Sequence, residues 1–205
     1  VSLSPEPPPH APEGEVAFVY GGIYLPWQNP LVALSTLVER LEAHKAGRLH
    51  FFGGAHPVLK LAASEYEAIE RQIAASGRVT AHGLVSHDRL LDEYRRAHVA
   101  FDVMARNPER ELAFTTRTVE YLWCGLPVVY NDYAELARPI RDYEAGWTVD
   151  PLDRRAIAAI VDRILTDPAE VARRSAGARR LARERLSWDR TVGPLDAFCR
   201  QPRKR

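Results

Sequence analysis

The stretch TRTVEYLWCGLPVVYND, residues 116–132, combines a helical start, a Gly-Leu-Pro break and a short apolar run. Arg117 and Glu120 place a guanidinium and a carboxylate on the segment that leads into this run. An amphipathic segment, a tight turn and a run of β-branched residues are the pattern of a helix followed by a buried strand. The stretch therefore predicts one helix–strand step of a parallel α/β sheet.

The same alternation extends in both directions along the chain. Short apolar runs predict strands over 15–20, 48–52, 78–83, 99–103, 127–130 and 146–149. Amphipathic segments predict helices over 30–44, 60–75, 87–97, 116–124, 134–143 and 153–165. Such alternation is typical of βαβ units with right-handed crossovers. We predict a doubly wound, Rossmann-like α/β domain with C-terminal helices.

The two ends of the chain differ from its middle. Residues 1–14 contain five prolines and no periodic pattern, which indicates a linker or a disordered start. The domain is expected over 15–198 and a basic tail over 199–205. A last helix is predicted after Ser187, packing back onto the body through an apolar face of Trp188, Val192, Leu195 and Phe198.

Composition limits the class of protein. Hydrophobic residues make up 46% and charged residues 27%, values that exclude disorder and a coiled coil. No apolar run approaches the roughly 20 residues of a membrane span, and the first residues lack the order of a signal peptide. We therefore expect a cytoplasmic protein. Cys124 and Cys199 are expected to be small buried residues, and no Cys/His spacing predicts a metal site.

The net charge of +1 conceals an asymmetry. Residues 171–205 carry 11 basic and 3 acidic side chains, whereas the part before them has a net charge of −7. A solvated arginine-rich helix face explains this, and peripheral contact with an anionic membrane is the alternative. No recognition helix or aromatic RNA-binding pair accompanies the basic residues, so nucleic acid is not an expected partner.

Ligands of open α/β sheets bind beyond the carboxyl ends of the strands. Gly21 and Gly22 follow the first predicted strand, and His82 and Gly83 close the third. Gly21–Gly22 and Gly53–Gly54, which follows the second predicted strand, are glycine pairs. Such pairs permit close approach of a ligand to the backbone, although each is equally consistent with a tight turn. The chain has neither the dinucleotide-binding G-x-G-x-x-G nor the P-loop pattern, so any phosphate must be held by other means.

The helix that begins at Thr115, Thr116 and Arg117 offers such means. Free backbone N–H groups, the helix dipole, two hydroxyls and a guanidinium suit a diphosphate. One turn further, Glu120 suits the vicinal hydroxyls of a ribose. The alternative is an Arg117–Glu120 ion pair on an exposed helix face. The place of Asp102 is left open, and His44, His50, His87 and His98 are interpreted as structural.

The string RTVEYLWCGLPVVYND resembles a pattern close to K-x-x-E-Y-x-A-x-G-x-P-V-V, found in retaining GT-B glycosyltransferases of the group usually called family 4. Three further segments fall in the same order as in that family: FVYGGIYLPWQNP, GRLHFFGG and RVTAHGLVSHDRLLDEYRRAHVAFDV. YEAGWTVDPLD resembles the G-x-G-x-x-V-x-P-x-D that precedes the last helices. The resemblance covers residues 15 to about 198.

The resemblance implies a C-terminal, donor-binding lobe that holds an NDP-sugar, with no cofactor, next to an N-terminal acceptor lobe absent from this chain. It implies transfer of a hexose-type sugar, with retention. Glu120 matches the ribose-binding glutamate, Arg117 a basic residue near the diphosphate, Gly21 and Gly22 the phosphate loop, and His82 and Gly83 the loop that frames the base.

One position departs from the family. Leu112 stands where many members have a second glutamate, eight residues before the first, so no residue is assigned to the donor sugar. Two alternatives stay open at this stage: a non-catalytic nucleotide-binding or regulatory module of the same fold, and a GT-B sugar-nucleotide epimerase. No catalytic residue is assigned.

Overall fold

The computed structural model describes residues 9–56, 58 and 64–202. Its sheet has six parallel strands in the order β3-β2-β1-β4-β5-β6. The strands are β1 (Ala17–Ile23), β2 (Arg48–Gly54), β3 (Val79–Ala81), β4 (Val99–Asp102), β5 (Val128–Asn131) and β6 (Gly146–Val149). This order is that of a doubly wound Rossmann-like sheet, and the predicted fold class is confirmed.

Helices cover both faces of the sheet. They are α1 (Leu31–His44), α2 (Ser64–Ala75), α3 (His87–Arg96), α4 (Pro108–Leu112), α5 (Thr116–Trp123), α6 (Ala137–Asp142), α7 (Arg154–Thr166), α8 (Pro168–Leu181) and α9 (Trp188–Arg200). A π-helical turn, Ala182–Leu186, joins α8 to α9. One apolar core lies against α1, α2 and α7, and the other against α3, α5, α6 and α8.

The predicted elements are found with shifted boundaries, and α4 and α8 lie outside the predicted set. The largest shift concerns the glycine pairs. Gly21 and Gly22 continue β1, and Gly53 and Gly54 continue β2, because the two strands stay in register beyond their apolar runs. Of the predicted helix 60–75, residues 60–63 lie outside the described residues, as do 1–8 of the predicted linker and 203–205 of the predicted tail.

The Gly-Leu-Pro break ends α5 with a Schellman motif. Gly125 adopts a left-handed φ of 84°, its N–H donates to the carbonyl of Leu122, and the N–H of Leu126 donates to that of Tyr121. Glycine suits this position because it has no Cβ to clash in the left-handed region. The turn feeds the chain directly into β5, which is buried along its whole length.

Helix α9 departs from the prediction. No residue of α9 is buried, and Trp188, at 73% exposed, Leu195 and Phe198 all face outward. Cys199 is also exposed, so its predicted burial is wrong, whereas Cys124 is buried as expected. An amphipathic spacing defines one apolar face of a helix, but it does not determine which element covers that face.

The pH dependence of stability should reflect four partly buried histidines. They are His10, His50, His82 and His98, and burial lowers the pKa of each below its ordinary value near 6.5. In His98 the ring Nδ1 also accepts a hydrogen bond from the N–H of Ala17. Near and below pH 6.5 the unfolded chain therefore binds more protons than the folded chain does. The contribution of these histidines to the free energy of unfolding should be fully present above pH 6.5 and should be lost as the pH falls below it.

Thermal unfolding between pH 8 and pH 5 measures this loss. The His98→Asn variant keeps an acceptor for the Ala17 N–H but no longer titrates, so its melting temperature should fall less steeply with acidification than that of the wild type. His44→Asn, at an exposed ion pair outside this set, is the control. Equal slopes for wild type and His98→Asn would contradict the prediction.

Candidate functional site

A crevice opens where the strand order reverses, between β1 and β4. These strands pair only at Phe18 with Val99 and at Val19 with Ala100, whereas β1 continues beside β2 as far as Ile23. The carboxyl ends of β1 and β4 therefore separate. In open α/β sheets this switch point is where ligands bind.

The side chain of Arg117 lies across this separation. Its Nη2 is 2.7 Å from Oδ1 of Asp102 at the end of β4, and its Nη1 donates to the carbonyl oxygen of Gly21 in β1. Its guanidinium carbon lies 5.3 Å from the ring centre of Tyr20. Arg117 is only 15% exposed. Its two terminal nitrogens are thus engaged within the protein, which makes Arg117 a link between the strands.

Asp102 is fully buried and accepts a second hydrogen bond, of 2.6 Å, from Oγ1 of Thr118. Burial alone would raise the pKa of this carboxyl group, but the guanidiniums of Arg117 and Arg110 and the Thr118 hydroxyl outweigh burial and lower the pKa. Asp102 is therefore an anion at neutral pH, and the nearby carboxylate keeps the pKa of Arg117 well above its usual range. Sequence reasoning left the place of Asp102 open.

Gly21 and Gly22 make room for these side chains. The Gly21 N–H donates to the Tyr121 hydroxyl at 2.9 Å, and the Gly21 carbonyl accepts from Arg117. Side chains of α5 therefore bond both the N–H and the carbonyl of Gly21 at the point where β4 no longer pairs with β1. A Cβ on Gly22 would overlap Nη1 of Arg117. The pair was predicted as a phosphate loop, but here it belongs to a strand and admits close approach of protein side chains.

Glu120 lies one turn into α5 and is nearly buried, with its side chain 11% exposed. Its Oε1 is 3.0 Å from Nε2 of His87, the first residue of α3. The expected alternative, an ion pair with Arg117, is not formed, because Arg117 turns toward β4 and Glu120 toward α3. His87, interpreted as structural from sequence, therefore holds the carboxylate.

The two threonines at the start of α5 differ in role. The Thr115 hydroxyl is buried, 3.2 Å from the Tyr130 hydroxyl and 3.3 Å from Nη2 of Arg110. Thr116 is exposed. Thr115 makes no side-chain capping bond, and the first intrahelical bonds run from the N–H groups of Thr118 and Val119 to the Thr115 carbonyl. Within the residues that the structure describes, the N–H groups of Thr116 and Arg117 are therefore available to a ligand.

The segment between β4 and α5 is tied to its neighbours. The side-chain amide of Asn107 donates to the carbonyl of Trp27 at 2.7 Å, and Asn131 accepts from the N–H of Met104 at 2.7 Å. Leu112, at the position of the missing glutamate, is 86% exposed. Arg110, which sequence reasoning passed over, is 2% exposed; a cationic residue between Glu109 and Glu111 gives no sequence signal for burial.

His82 and Gly83 lie further along the same edge of the sheet. The His82 ring stacks on Phe52 at 4.3 Å between centres, and its Nε2 is 3.0 Å from Nδ1 of His50. Phe52 is the register partner of Gly21, so it connects this loop to the crevice. Gly83 has a φ of 67° and open space where a Cβ would be.

The residues named from sequence thus fall into three groups along one edge of the sheet. Gly21, Gly22 and Arg117 are in direct contact, while Glu120, Thr115 and Thr116 lie on the same helix and His82 and Gly83 lie at the neighbouring strands. Among the described residues no group of three or more His, Cys, Asp or Glu side chains could hold a metal ion. Within that part of the chain no helix is long and apolar enough to cross a bilayer.

A family model described as glycosyl transferases group 1 matches residues 15–167. The chain belongs to this family. It is 32% identical over 193 residues to the D-inositol 3-phosphate glycosyltransferase of Xylanimonas cellulosilytica, covering 88% of this chain and 45% of that protein. The chain therefore spans about half the length of the curated relatives it matches.

Solved structures agree with this placement. Sucrose-phosphate synthase from Thermosynechococcus elongatus superimposes with a TM-score of 0.73 at 25% identity, covering 91% of this chain and 45% of that one. The C-terminal domain of a glycosyl transferase group 1 family protein from Francisella tularensis has a TM-score of 0.66 at 13% identity, and the match covers 86% of this chain and 88% of that one. The family resemblance seen in the sequence is confirmed: the domain has the architecture of one GT-B lobe.

The link made by Arg117 can be tested through Gly22. In Gly22→Ala the added methyl group must displace the guanidinium from Gly21 and Asp102, so we expect a loss of about 1–3 kcal/mol in the free energy of unfolding. Urea denaturation measures it.

Gly77→Ala is the matched control, because a Cβ at Gly77 meets nothing within 4 Å. Its stability should lie within about 0.5 kcal/mol of the wild type. If Gly22→Ala lowered the free energy of unfolding no more than Gly77→Ala does, the guanidinium of Arg117 would not be held tightly against β1.

Proposed function

We propose that this chain is the donor-nucleotide lobe of a glycosyltransferase, which moves a hexose-type sugar from an NDP-sugar to an acceptor with retention of configuration. Its family membership supports the class of reaction. The observation that carries the proposal is the position of Glu120: a nearly buried carboxylate one turn from the free amino end of α5, beside the switch-point crevice.

In this proposal the nucleotide lies along the carboxyl edge of β1, β2 and β3. The diphosphate occupies the start of α5, where unpaired N–H groups and the helix dipole favour an anion. Thr116 adds an exposed hydroxyl. The ribose hydroxyls donate to Glu120, whose carboxylate His87 already orients, and the base lies near His82 and Gly83.

Catalysis in this proposal is positional and electrostatic. Breaking the bond between the sugar and the diphosphate places negative charge on the leaving group. Preorganised donors at that point stabilise the charge more in the transition state than in the ground state, which lowers the barrier. Arg117 contributes by holding β1, β4 and α5 in place, while Asp102 balances its charge. No step requires a metal ion.

The acceptor is expected on a second lobe, and a complete enzyme acts in the cleft between the two lobes. The proposal places the enzyme in the cytoplasm. The basic C-terminal part, with a net charge of +8 over residues 171–205, would let the enzyme contact an anionic membrane surface. Nucleic acid is no part of this proposal.

Calorimetric titration of the chain with UDP, GDP and ADP tests the proposal, and at least one of them should bind. Glu120→Gln keeps the size of the side chain but removes its charge. Because charge-assisted hydrogen bonds to the ribose are lost, affinity should fall by about tenfold or more. Glu39→Gln, at an exposed ion pair with Arg154 on the far side of the domain, should leave affinity unchanged.

The 2′-deoxy analogue of the bound nucleotide separates contact from indirect effects. The wild type should bind the 2′-deoxy analogue more weakly than the parent nucleotide. Glu120→Gln should bind the two ligands with equal affinity, since the substitution and the missing hydroxyl remove the same hydrogen bond. Fully additive losses, or no loss in Glu120→Gln, would refute the ribose-binding role of Glu120.

A further inference from the structure

The crevice contains a buried cluster of charges that do not balance. We call Asp102, Arg110 and Arg117 the switch cluster. Asp102 is fully buried, Arg110 is 2% exposed and the Arg117 side chain is 15% exposed. Among the described residues, Asp102 is the one carboxylate paired with either guanidinium. The cluster therefore holds one positive charge without a counter-charge.

The excess charge belongs to Arg110. Arg117 has Asp102 as its ionic partner. Among the described residues the Arg110 guanidinium donates from Nη2 to the neutral hydroxyl of Thr115, at 3.3 Å, and its Nε, like that of Arg117, is buried without a hydrogen-bond partner. Tyr133 is a further neutral neighbour, whose hydroxyl lies within hydrogen-bonding reach of Arg110. A guanidinium has five N–H donors, so much of its bonding capacity is unused.

Arg110 also lies at the right place for an anion. Thr115, which receives its hydrogen bond, is the residue that precedes α5, and within the described part of the chain the N–H groups of Thr116 and Arg117 have no hydrogen-bond partner. The buried guanidinium and the positive end of the helix thus converge at Thr115. Helix termini of this kind bind phosphate, and a guanidinium adds bidentate donors.

We infer that Arg110 is the residue that binds the distal phosphate of the nucleoside diphosphate. This inference rests on the proposed function and assigns to Arg110 the ionic contact with the phosphate, since Asp102 already balances the charge of Arg117. A buried cation without a counter-ion is costly to the unliganded fold, because desolvation is not offset by an ion pair. The phosphate offsets that cost when it binds. A structural arginine, in contrast, would stabilise the fold whether or not ligand is present.

Arg110→Met separates these two roles, since methionine fills similar space without charge. We expect a melting temperature of the unliganded variant that is equal to or above the wild-type value. Its affinity for the nucleoside diphosphate should fall by about tenfold or more, while that for the monophosphate of the same base changes by less than about twofold. Calorimetry and thermal unfolding of the whole chain give both readouts.

Two further variants sharpen the comparison. Arg110→Lys keeps the positive charge and should retain part of the preference for diphosphate over monophosphate. Arg106→Met removes an exposed arginine of the same segment, paired with Glu111, and should change neither affinity. The loss in Arg110→Met should therefore depend on the buried charge alone.

The outcomes distinguish the inference from the function on which it rests. A wild-type chain that binds no nucleoside diphosphate would refute the proposed function. A wild-type preference for diphosphate that persists in Arg110→Met would refute only the role of Arg110. A clear drop in melting temperature, or failure to fold, in Arg110→Met would show that Arg110 is structural, and would also overturn the inference.

Discussion

The guanidinium of Arg117 joins the two halves of the sheet where they separate. Parallel strands that diverge leave peptide groups without a ladder partner, and buried peptide groups must find another one. At Gly21 the partners come from α5: Arg117 donates to the carbonyl oxygen, and the hydroxyl of Tyr121 accepts from the N–H. Asp102 supplies the balancing charge from β4. Arg117 therefore spans the gap between the two strands, with an ion pair to β4 and a hydrogen bond to β1, and it fixes α5 against both of them.

This arrangement separates positioning from binding within one helix. Arg117 points down into the sheet, whereas Glu120, three residues later, points sideways toward His87, and the amino end of the helix stays free. One short element thus presents a fixed carboxylate and a free, electropositive terminus at a set distance. A nucleoside diphosphate carries both hydroxyl donors and negative charge, which is why the proposed function rests on the helix as a unit.

Much of the fold was predictable from sequence. The alternation of apolar runs and amphipathic segments predicted all six strands, since burial on both faces demands near-continuous apolar residues. Boundaries were less predictable where glycines continued a strand without an apolar signal, as at Gly21 and Gly53. Helix α4 was missed because a single turn has no measurable period. The packing of α9 was wrong, because its apolar face implies a partner without specifying one.

The sequence by itself determined the fold class, the family and the helix that carries the candidate site, because periodicity and turn residues act locally. Only the tertiary structure decided which charges meet. It pairs Arg117 with Asp102 across 15 positions and His87 with Glu120 across 33. Within the part of the chain that the structure describes, it buries Arg110 without an ion-pair partner. Ion pairing depends on direction and distance in three dimensions, and desolvation depends on what surrounds a group. Neither quantity is encoded in the spacing of residues along the chain.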